Sequence, residues 1–282
     1  MITTEYVVLT VARNEEVHIG KAIESVLSQT KPPAAFIIVD DGSTDRTPEI
    51  VKGYEDRGVK YFRLDDEREA FKGYNICKAV NRGYGLAVKY APRWSYLLKL
   101  DADSAIPPDY AEKMVGYMME DPSLGIVSGS LPLRNNLRGR PLDGAKLYRK
   151  TCWDAIGGMD YVIGFDTHAL IKCGMRGFKA EIKPVPYMEM RSSRRETPSG
   201  WYYSGVTRFL LGFPLWHTMV SSMAALNDKP YLLGAAVMFL THFILRLTKG
   251  AGCFSSYYRH HMRDFALEET AGRIRSMLHR SA

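Results

Sequence analysis

The sequence has little cysteine, and its cysteines form no pairing pattern. Four occur in 282 residues, at positions 77, 152, 173 and 253, and none stands in a Cys-x-x-Cys spacing. This argues against a zinc cluster or a disulfide framework and fits a reducing compartment. The start of the chain also lacks a basic segment followed by an apolar stretch, which argues against an N-terminal secretion signal. We therefore expect a cytoplasmic protein.

Signatures of nucleic-acid binding are also missing. No aromatic-glycine RNA-binding motif, paired zinc finger or heptad-backed basic region occurs, so no nucleic-acid partner is expected. The formal net charge of +7 favours an anionic partner, for which nucleotide diphosphates and anionic lipid stay open. The content of 46% hydrophobic and 24% charged residues is that of a folded globular protein.

Strand-like and helix-like segments alternate over the first hundred residues. Apolar residues at helical spacing predict helices between strands, the second helix beginning with Thr47 as its N-cap. This order predicts an α/β fold with a Rossmann-like, doubly wound, mostly parallel sheet. The predicted strands are 6–11, 36–39, 59–64 and 95–100.

The pattern changes towards the C-terminus. We predict a catalytic domain over residues 1–200 and a helical region over residues 201–282, with apolar stretches at 213–226 and 231–247. The second stretch is 17 residues long and contains a histidine and an arginine, which puts it at the short edge of what crosses a bilayer. A peripheral contact with the cytoplasmic face of a membrane is favoured over a span.

Two carboxylates follow the fourth predicted strand. Asp101 and Asp103 stand two residues apart, so both side chains point the same way if the extended geometry persists. Oxygen ligands suit Mg²⁺ or Mn²⁺, which share their remaining positions with phosphate oxygens. The alternative interpretation is a solvated turn that caps a helix starting near Asp109.

A second acidic pair, Asp40 and Asp41, closes the second predicted strand. A carboxylate at this edge can accept hydrogen bonds from a base imino group or a ribose hydroxyl. Gly42 and Ser43 equally suit a turn and a helix cap, so local chemistry leaves both interpretations open.

Several segments resemble, in order and spacing, the family 2 glycosyltransferases. The similarity covers roughly residues 5 to 185. It implies a GT-A fold, a nucleotide-diphosphate sugar donor, a divalent metal ion (Mg²⁺ or Mn²⁺) and inversion at the anomeric carbon. The segments that carry it are Thr10-Val-Ala-Arg-Asn-Glu-Glu16, Val39 to Asp45, Lys72-Gly-Tyr-Asn75 with Ala79-Val-Asn-Arg-Gly83, Asp101-Ala-Asp103, and Pro108-Asp109.

The resemblance also implies roles for individual residues. Asp103 would be the principal metal ligand, and Asp101 would support it and the ribose. Asp41 would contact the base, with Asp40 beside it. The remaining donor residues would be Val11, Arg13 and Glu15, which line the nucleoside pocket, and Lys72, which lies near the donor.

The catalytic base of the family lies in a Glu-Asp pair that opens a helix. Here Asp166 matches the base, whereas Phe165 stands where Glu is common. Carboxylates commonly deprotonate an acceptor hydroxyl in inverting transfer. The alternative interpretation is that Asp166 caps a helix over residues 167–175.

A basic loop with a nearby tryptophan lies where family members contact the diphosphate or the acceptor. Guanidinium groups suit phosphate, although the loop could equally be a solvated one. The residues are Arg191, Arg194, Arg195 and Trp201. The Gln-x-x-Arg-Trp motif of processive synthases is absent, which favours a non-processive enzyme. The apolar stretches and the positive charge fit a lipid-linked or cell-surface glycan acceptor. The rival function is a non-catalytic sugar-nucleotide-binding or scaffold subunit at a membrane.

Overall fold

The computed structural model describes residues 4–65, 72–131, 140–191, 198–226 and 230–250, and a few positions of the C-terminal tail (262, 265–267, 270 and 271). The chain divides into two compact units, the first ending at Arg191 and the second holding the described residues from Pro198 onward.

The first unit is built around a twisted sheet with helices on its faces. Its central strands are continuous apolar runs, as expected where both faces are covered. In Tyr6–Ala12, for example, six of the seven residues are buried. The strands are β1 (Tyr6–Ala12), β2 (Ala35–Asp40), β3 (Val59–Arg63), β4 (Tyr96–Leu100), β5 (Ser104–Ala105), β6 (Leu124–Ser130), β7 (Ala145–Arg149), β8 (Lys179–Pro186) and β9 (Met188–Glu189). The helices are α1 (Ile19–Leu27), α2 (Thr47–Lys52), α3 (Lys72–Tyr90), α4 (Tyr110–Glu120), α5 (Lys150–Ile156) and α6 (Phe165–Met175), with a short 3-10 helix at Glu55–Arg57.

Among the described residues, seven strands form the main sheet in the order β3-β2-β1-β4-β7-β6-β8. All neighbours are parallel except β7, which runs antiparallel to β4 and β6. This confirms the predicted mostly parallel α/β sheet. The strand order reverses beside β1 and β4, so the loops that follow these strands border the position where such sheets bind ligands.

A small second sheet holds the segment that follows β4. Strand β5 pairs antiparallel with β9, with Ser104 opposite Glu189 and Ala105 opposite Met188. The ladder is extended by the Met190 amide, which donates to the Asp103 carbonyl over 2.7 Å. The chain after β9 is thereby held beside the loop of Asp101 to Asp103.

The predicted N-cap of α2 is wrong. Arg46 occupies the N-cap position without a side-chain cap bond, and Thr47 is already helical. The Thr47 hydroxyl instead accepts a hydrogen bond from the Glu15 amide over 2.8 Å, so it serves the neighbouring loop.

The second unit is helical, with α7 (Pro198–Leu210), α8 (Leu215–Ala224) and α9 (Leu233–Lys249). Trp201, Ala225 and Met238 form its buried cluster. Within the part of the chain that the structure describes, no helix combines the length and the apolarity that a bilayer crossing requires.

Replacing Gly129 should destabilise the main sheet. A Cβ at this position would lie 2.2 Å from the Val185 carbonyl oxygen on the paired strand β8 and 2.7 Å from the Tyr110 ring. Since that carbonyl cannot shift without disturbing the strand, Gly129→Ala should lower the free energy of unfolding by about 1–3 kcal/mol in chemical denaturation.

Gly116→Ala, in α4, is the matched control. A Cβ at residue 116 meets nothing within 4 Å, so this change should raise the free energy of unfolding by about 0.5–1 kcal/mol. Equal stability of the two variants would contradict the packing described here.

Candidate functional site

The loops that follow β1 and β2 are tied to each other by hydrogen bonds. Asn14 has a left-handed backbone with φ of 52°, which Asn tolerates better than most residues. Its amide donates to Ser43 Oγ over 3.0 Å, and its Oδ1 accepts from the Thr44 amide over 2.8 Å. Together with the bond from Glu15 to Thr47, these contacts hold two loops as one rim, which places Glu15 beside the end of β2.

Asp40 supports this rim from below. Its side chain is fully buried, and its carboxylate accepts hydrogen bonds from the Ser43 amide and hydroxyl, from the Tyr61 hydroxyl at 2.8 Å and from Arg63 Nη1 at 3.0 Å. A carboxylate with these donors has no face left for a nucleotide. The predicted contact between Asp40 and the nucleotide is therefore not supported, and Asp41 is the member of the pair that stays a candidate.

The other predicted nucleoside residues lie at the same edge. Val11 and Arg13 are half-buried at the end of β1, and Asp41 is 8% exposed directly after β2. The Asp41 amide donates to the Ala12 carbonyl over 2.9 Å. Arg13 Nη1 is buried with no hydrogen-bond partner among the described residues. A buried guanidinium nitrogen without an acceptor fits a ligand that supplies one.

Of four further residues predicted to contact the donor or the acceptor, the structure describes the side chain of only one. Lys72 is the first residue of α3, and the position of its side chain is not described. Arg194 and Arg195 lie outside the described residues. Trp201 is 1% exposed within the helical unit, where its indole fits so closely that a Cβ on Gly234 would lie 2.4 Å from Nε1. Trp201 is therefore a core residue and not an exposed contact for diphosphate or acceptor.

Asp101 and Asp103 are half-buried beyond the end of β4. The Asp101 carboxylate lies 2.5 Å from the ammonium of Lys99, and Asp103 Oδ2 lies 3.7 Å from Arg191 Nε. The helix that follows, α4, has Asp109 as its N-cap residue and no side-chain cap bond, so neither acid caps it. Both carboxylates are partly exposed at the edge of the sheet, and each has a cationic side chain beside it, Lys99 for Asp101 and Arg191 for Asp103.

Two buried lysines face each other beneath these acids. Lys99 on β4 and Lys146 on β7 are direct partners across the antiparallel pair, and both are almost fully buried. Two buried like charges require nearby carboxylates. Burial alone would lower the pKa of Lys99, but the charges of Asp101 and Asp143 outweigh burial and raise it. Asp143 Oδ1 lies 2.7 Å from Lys146 Nζ.

Asp166 joins this network through Asp143. The two carboxyl groups are hydrogen-bonded, and Asp166 is the donor when it is protonated, because its pKa is the higher of the two. Burial and the charge of Asp143 raise the pKa of Asp166 to about 6, although Lys146 and Arg140 oppose the rise. A carboxyl group with a pKa close to neutral suits proton transfer.

The capping interpretation of Asp166 is wrong. Helix α6 begins at Phe165, its N-cap residue is Gly164 with φ of 74°, and it has no side-chain cap bond. Asp166 thus lies inside the first turn and is not the N-cap residue. The helix dipole stabilises a negative charge at this position. His168, two residues further along the helix, is buried with Nδ1 2.7 Å from Asp160 Oδ2, so its ring is held by Asp160.

Sequence patterns missed the residues that hold the acids in place. Asp143, Lys99 and Lys146 were not singled out, because their significance depends on pairing between β4 and β7. The one available signal was Lys99 inside the otherwise apolar β4, since a lysine is unusual at a buried position. β7 offers no such signal, because it contains Arg149 as well as Lys146.

The acids at the end of β4 fit a divalent cation. No group of three or more His, Cys, Asp or Glu side chains placed to hold a metal ion is found within the described residues. Asp101 and Asp103 offer hard oxygen ligands for Mg²⁺ or Mn²⁺, which accept phosphate and water oxygens as well. The guanidinium beside Asp103 shows that this carboxylate can lie against a cation.

Comparison with known proteins gives relatives of one kind. The chain is 32% identical over 123 residues to the poly-β-1,6-N-acetyl-D-glucosamine synthase of Staphylococcus epidermidis, covering 43% of this chain and 27% of that protein. It is 23% identical over 231 residues to the low-salt glycan biosynthesis hexosyltransferase Agl6 of Haloferax volcanii, covering 70% and 51%. The chain thus spans about a quarter to a half of the length of these curated relatives.

A solved structure has the same fold. The mannosyltransferase PcManGT from Pyrobaculum calidifontis, in complex with GDP-Man and Mn²⁺, superposes with a TM-score of 0.56 at 17% identity, over 96% of this chain and 87% of that one. This likeness confirms the expected GT-A fold with its mostly parallel sheet.

The family model of glycosyl transferase family 2 matches residues 7–157. The match covers more than half of the 282 residues and contains the β1 and β2 loops and the Asp101–Asp103 pair. The chain belongs to glycosyl transferase family 2.

Proposed function

We propose that the chain is an inverting, metal-dependent glycosyltransferase that moves one sugar at a time from a nucleotide-diphosphate donor to an acceptor hydroxyl. The observation that carries this proposal is the convergence on Lys99 of Asp101, which lies 2.5 Å away, and of the charges of Asp143 and Asp166. Possible metal ligands and a carboxyl with a pKa of about 6 therefore share one edge of the sheet.

The donor would bind along the rim formed by the β1 and β2 loops. Val11, Arg13 and Glu15 would line the nucleoside pocket, and Asp41 would accept a hydrogen bond from the base. Lys72 would lie near the donor, as in the family pattern. Support comes from the unpartnered buried nitrogen of Arg13, for which a ligand acceptor is the natural partner.

Asp101 and Asp103 would hold the divalent ion, with Asp103 as the principal ligand. A bound Mg²⁺ or Mn²⁺ supplies charge neutralisation for the leaving diphosphate. Lys99 orients Asp101 through their 2.5 Å contact, and its charge opposes the rise that burial causes in the pKa of Asp101. Lys99 is itself almost fully buried, so this orientation is fixed before any ligand arrives.

Asp166 would act as the base. In its ionised form it would take the proton of the acceptor hydroxyl as the new glycosidic bond forms on the face opposite the leaving group. Asp143 would share that proton through the hydrogen bond between the two carboxyls, and Lys146 would balance the charge of Asp143. We assign the catalytic domain to residues 1–200.

The helical region, residues 201–282, would place the enzyme on an anionic membrane surface with a lipid-linked acceptor. Along α9 the exposed apolar side chains recur at helical spacing, and Lys249 ends the helix as an exposed cation. An apolar stripe with terminal positive charge is typical of helices that lie in a membrane interface. The stripe consists of Leu233, Leu240, Phe243, Ile244 and Leu247.

Asp166→Asn should remove transfer and leave the protein folded. We expect kcat to fall by about 10²-fold or more, the usual contribution of a general base, while binding of the donor persists. The folded-state pKa of about 6 lies above that of an unfolded aspartate, so the ionised group lowers stability at neutral pH. The thermal midpoint at pH 7 should therefore not decrease, and transfer by the wild type should fall as the pH drops through about 6.

Two variants test this assignment. Asp56→Asn removes an exposed carboxyl and should keep full activity. Asp143→Asn removes a negative neighbour of Asp166, so the acidic limb of the profile should move to lower pH. Full transfer by Asp166→Asn would overturn the base assignment. Binding of nucleotide-sugars without turnover by the wild type would favour the scaffold function instead.

Membrane docking is tested with phosphatidylglycerol vesicles. Phe243→Glu on the α9 stripe should weaken sedimentation with vesicles by about tenfold or more, the factor for one buried aromatic side chain. Val88→Glu, on the exposed side of α3, is the matched control and should bind like the wild type. Equal binding of all three proteins, or no binding by the wild type, would contradict the proposal.

A further inference from the structure

Arg191 occupies a position that the proposed metal and the proposed donor would both require. It lies two residues after the end of β9, and the bond from the Met190 amide to the Asp103 carbonyl fixes the preceding residue against the loop of Asp101 to Asp103. The backbone therefore delivers the Arg191 side chain to the edge where the β1 and β4 loops meet.

The Arg191 guanidinium bridges two acids from different loops. Nη2 lies 2.5 Å from Glu15 Oε2, and Nε lies 3.7 Å from Asp103 Oδ2. Glu15 and Arg191 are 176 residues apart in sequence. The Arg191 side chain is 35% exposed and the Asp103 side chain 27%, so the bridge is partly solvated and can be exchanged.

The bridge differs in kind from the contact between Lys99 and Asp101. The ammonium of Lys99 is nearly buried in β4, and leaving it without a partner would be costly. Arg191 instead lies in the bend after β9, and its planar fork suits phosphate as well as carboxylate. The Glu15 side chain is only 12% exposed, so withdrawing Arg191 has a cost, but it is lower than that of withdrawing the nearly buried Lys99.

We infer that Arg191 makes metal binding conditional on the donor: in the ligand-free protein its guanidinium holds Asp103, and it transfers to the diphosphate when the nucleotide arrives. This inference rests on the proposed function. A divalent ion and a guanidinium at the same carboxylate repel each other, so Arg191 lowers the affinity for metal alone. The diphosphate attracts both cations, so nucleotide and metal bind with positive coupling.

The experiment measures Mn²⁺ binding directly, by calorimetry and by the electron paramagnetic resonance signal of free Mn²⁺, in the purified full chain. Arg191→Gln removes the competing cation. We expect it to tighten Mn²⁺ binding in the absence of nucleotide by about tenfold, within the usual range of coupling between sites. The same variant should bind UDP or GDP more weakly without metal, because the diphosphate loses a guanidinium.

Two further variants control for charge and fold. Arg57→Gln removes a guanidinium that contacts Glu24 on the surface of α1, and its distant charge is screened, so Mn²⁺ affinity should stay within about twofold. Arg191→Lys keeps the charge but cannot fork between two carboxylates, so its Mn²⁺ affinity should lie between those of the wild type and Arg191→Gln. Thermal unfolding confirms that each variant is folded.

The outcomes separate the inference from the proposed function. If the wild type binds Mn²⁺ with UDP or GDP present, and Arg191→Gln leaves Mn²⁺ affinity unchanged in their absence, only the role of Arg191 is overturned. If the bridge has only a structural role, Arg191→Gln should leave the Mn²⁺ affinity unchanged and lower the thermal unfolding midpoint. If the wild type binds no Mn²⁺ under either condition, metal-dependent transfer and the inference both fail.

Discussion

The acidic edge of the sheet depends on two lysines buried opposite each other on β4 and β7. Lys99 and Lys146 cannot lie side by side in a nearly dry environment unless carboxylates balance them. Asp101 and Asp143 supply that balance at 2.5 Å and 2.7 Å, and Asp143 in turn bonds to Asp166. The antiparallel position of β7 beside β4 brings these groups together. The charges of the site therefore depend on the strand order of the sheet.

A second set of contacts fixes the rim formed by the β1 and β2 loops, where we propose that the nucleotide binds. Asp40 has no exposed surface and gathers donors from Ser43, Tyr61 and Arg63, which fixes the turn after β2. The β1 loop is then fastened to that turn through Asn14. The two sides of the proposed site thus differ: the rim of the β1 and β2 loops is held by neutral and charged hydrogen bonds, whereas the side proposed for the metal and the base is held by buried charge.

Local pattern was enough for the first four strands and the helices between them, because apolar runs and helical spacing are properties of short segments. It did not predict β7, whose place in the sheet depends on pairing with β4 and β6. It was also enough for the acids at strand ends, since parallel strands bring their carboxyl ends together. It failed for Thr47 and for the cap interpretation of Asp166, because tertiary contacts decided both. Burial of Trp201 and of Asp40 likewise depends on packing that one segment does not contain.

We expect a nucleotide-sugar and a divalent ion to bind together at the acidic edge. A thermal-shift measurement of the wild type and Asp103→Asn, with UDP- and GDP-sugars in the presence and absence of Mn²⁺, tests it most directly, because a ligand that binds the native state raises the unfolding midpoint. The account predicts that at least one donor raises the wild-type midpoint, that Mn²⁺ enlarges the shift, and that Asp103→Asn abolishes the enlargement. A shift that is equally large with and without Mn²⁺ in both proteins would contradict it.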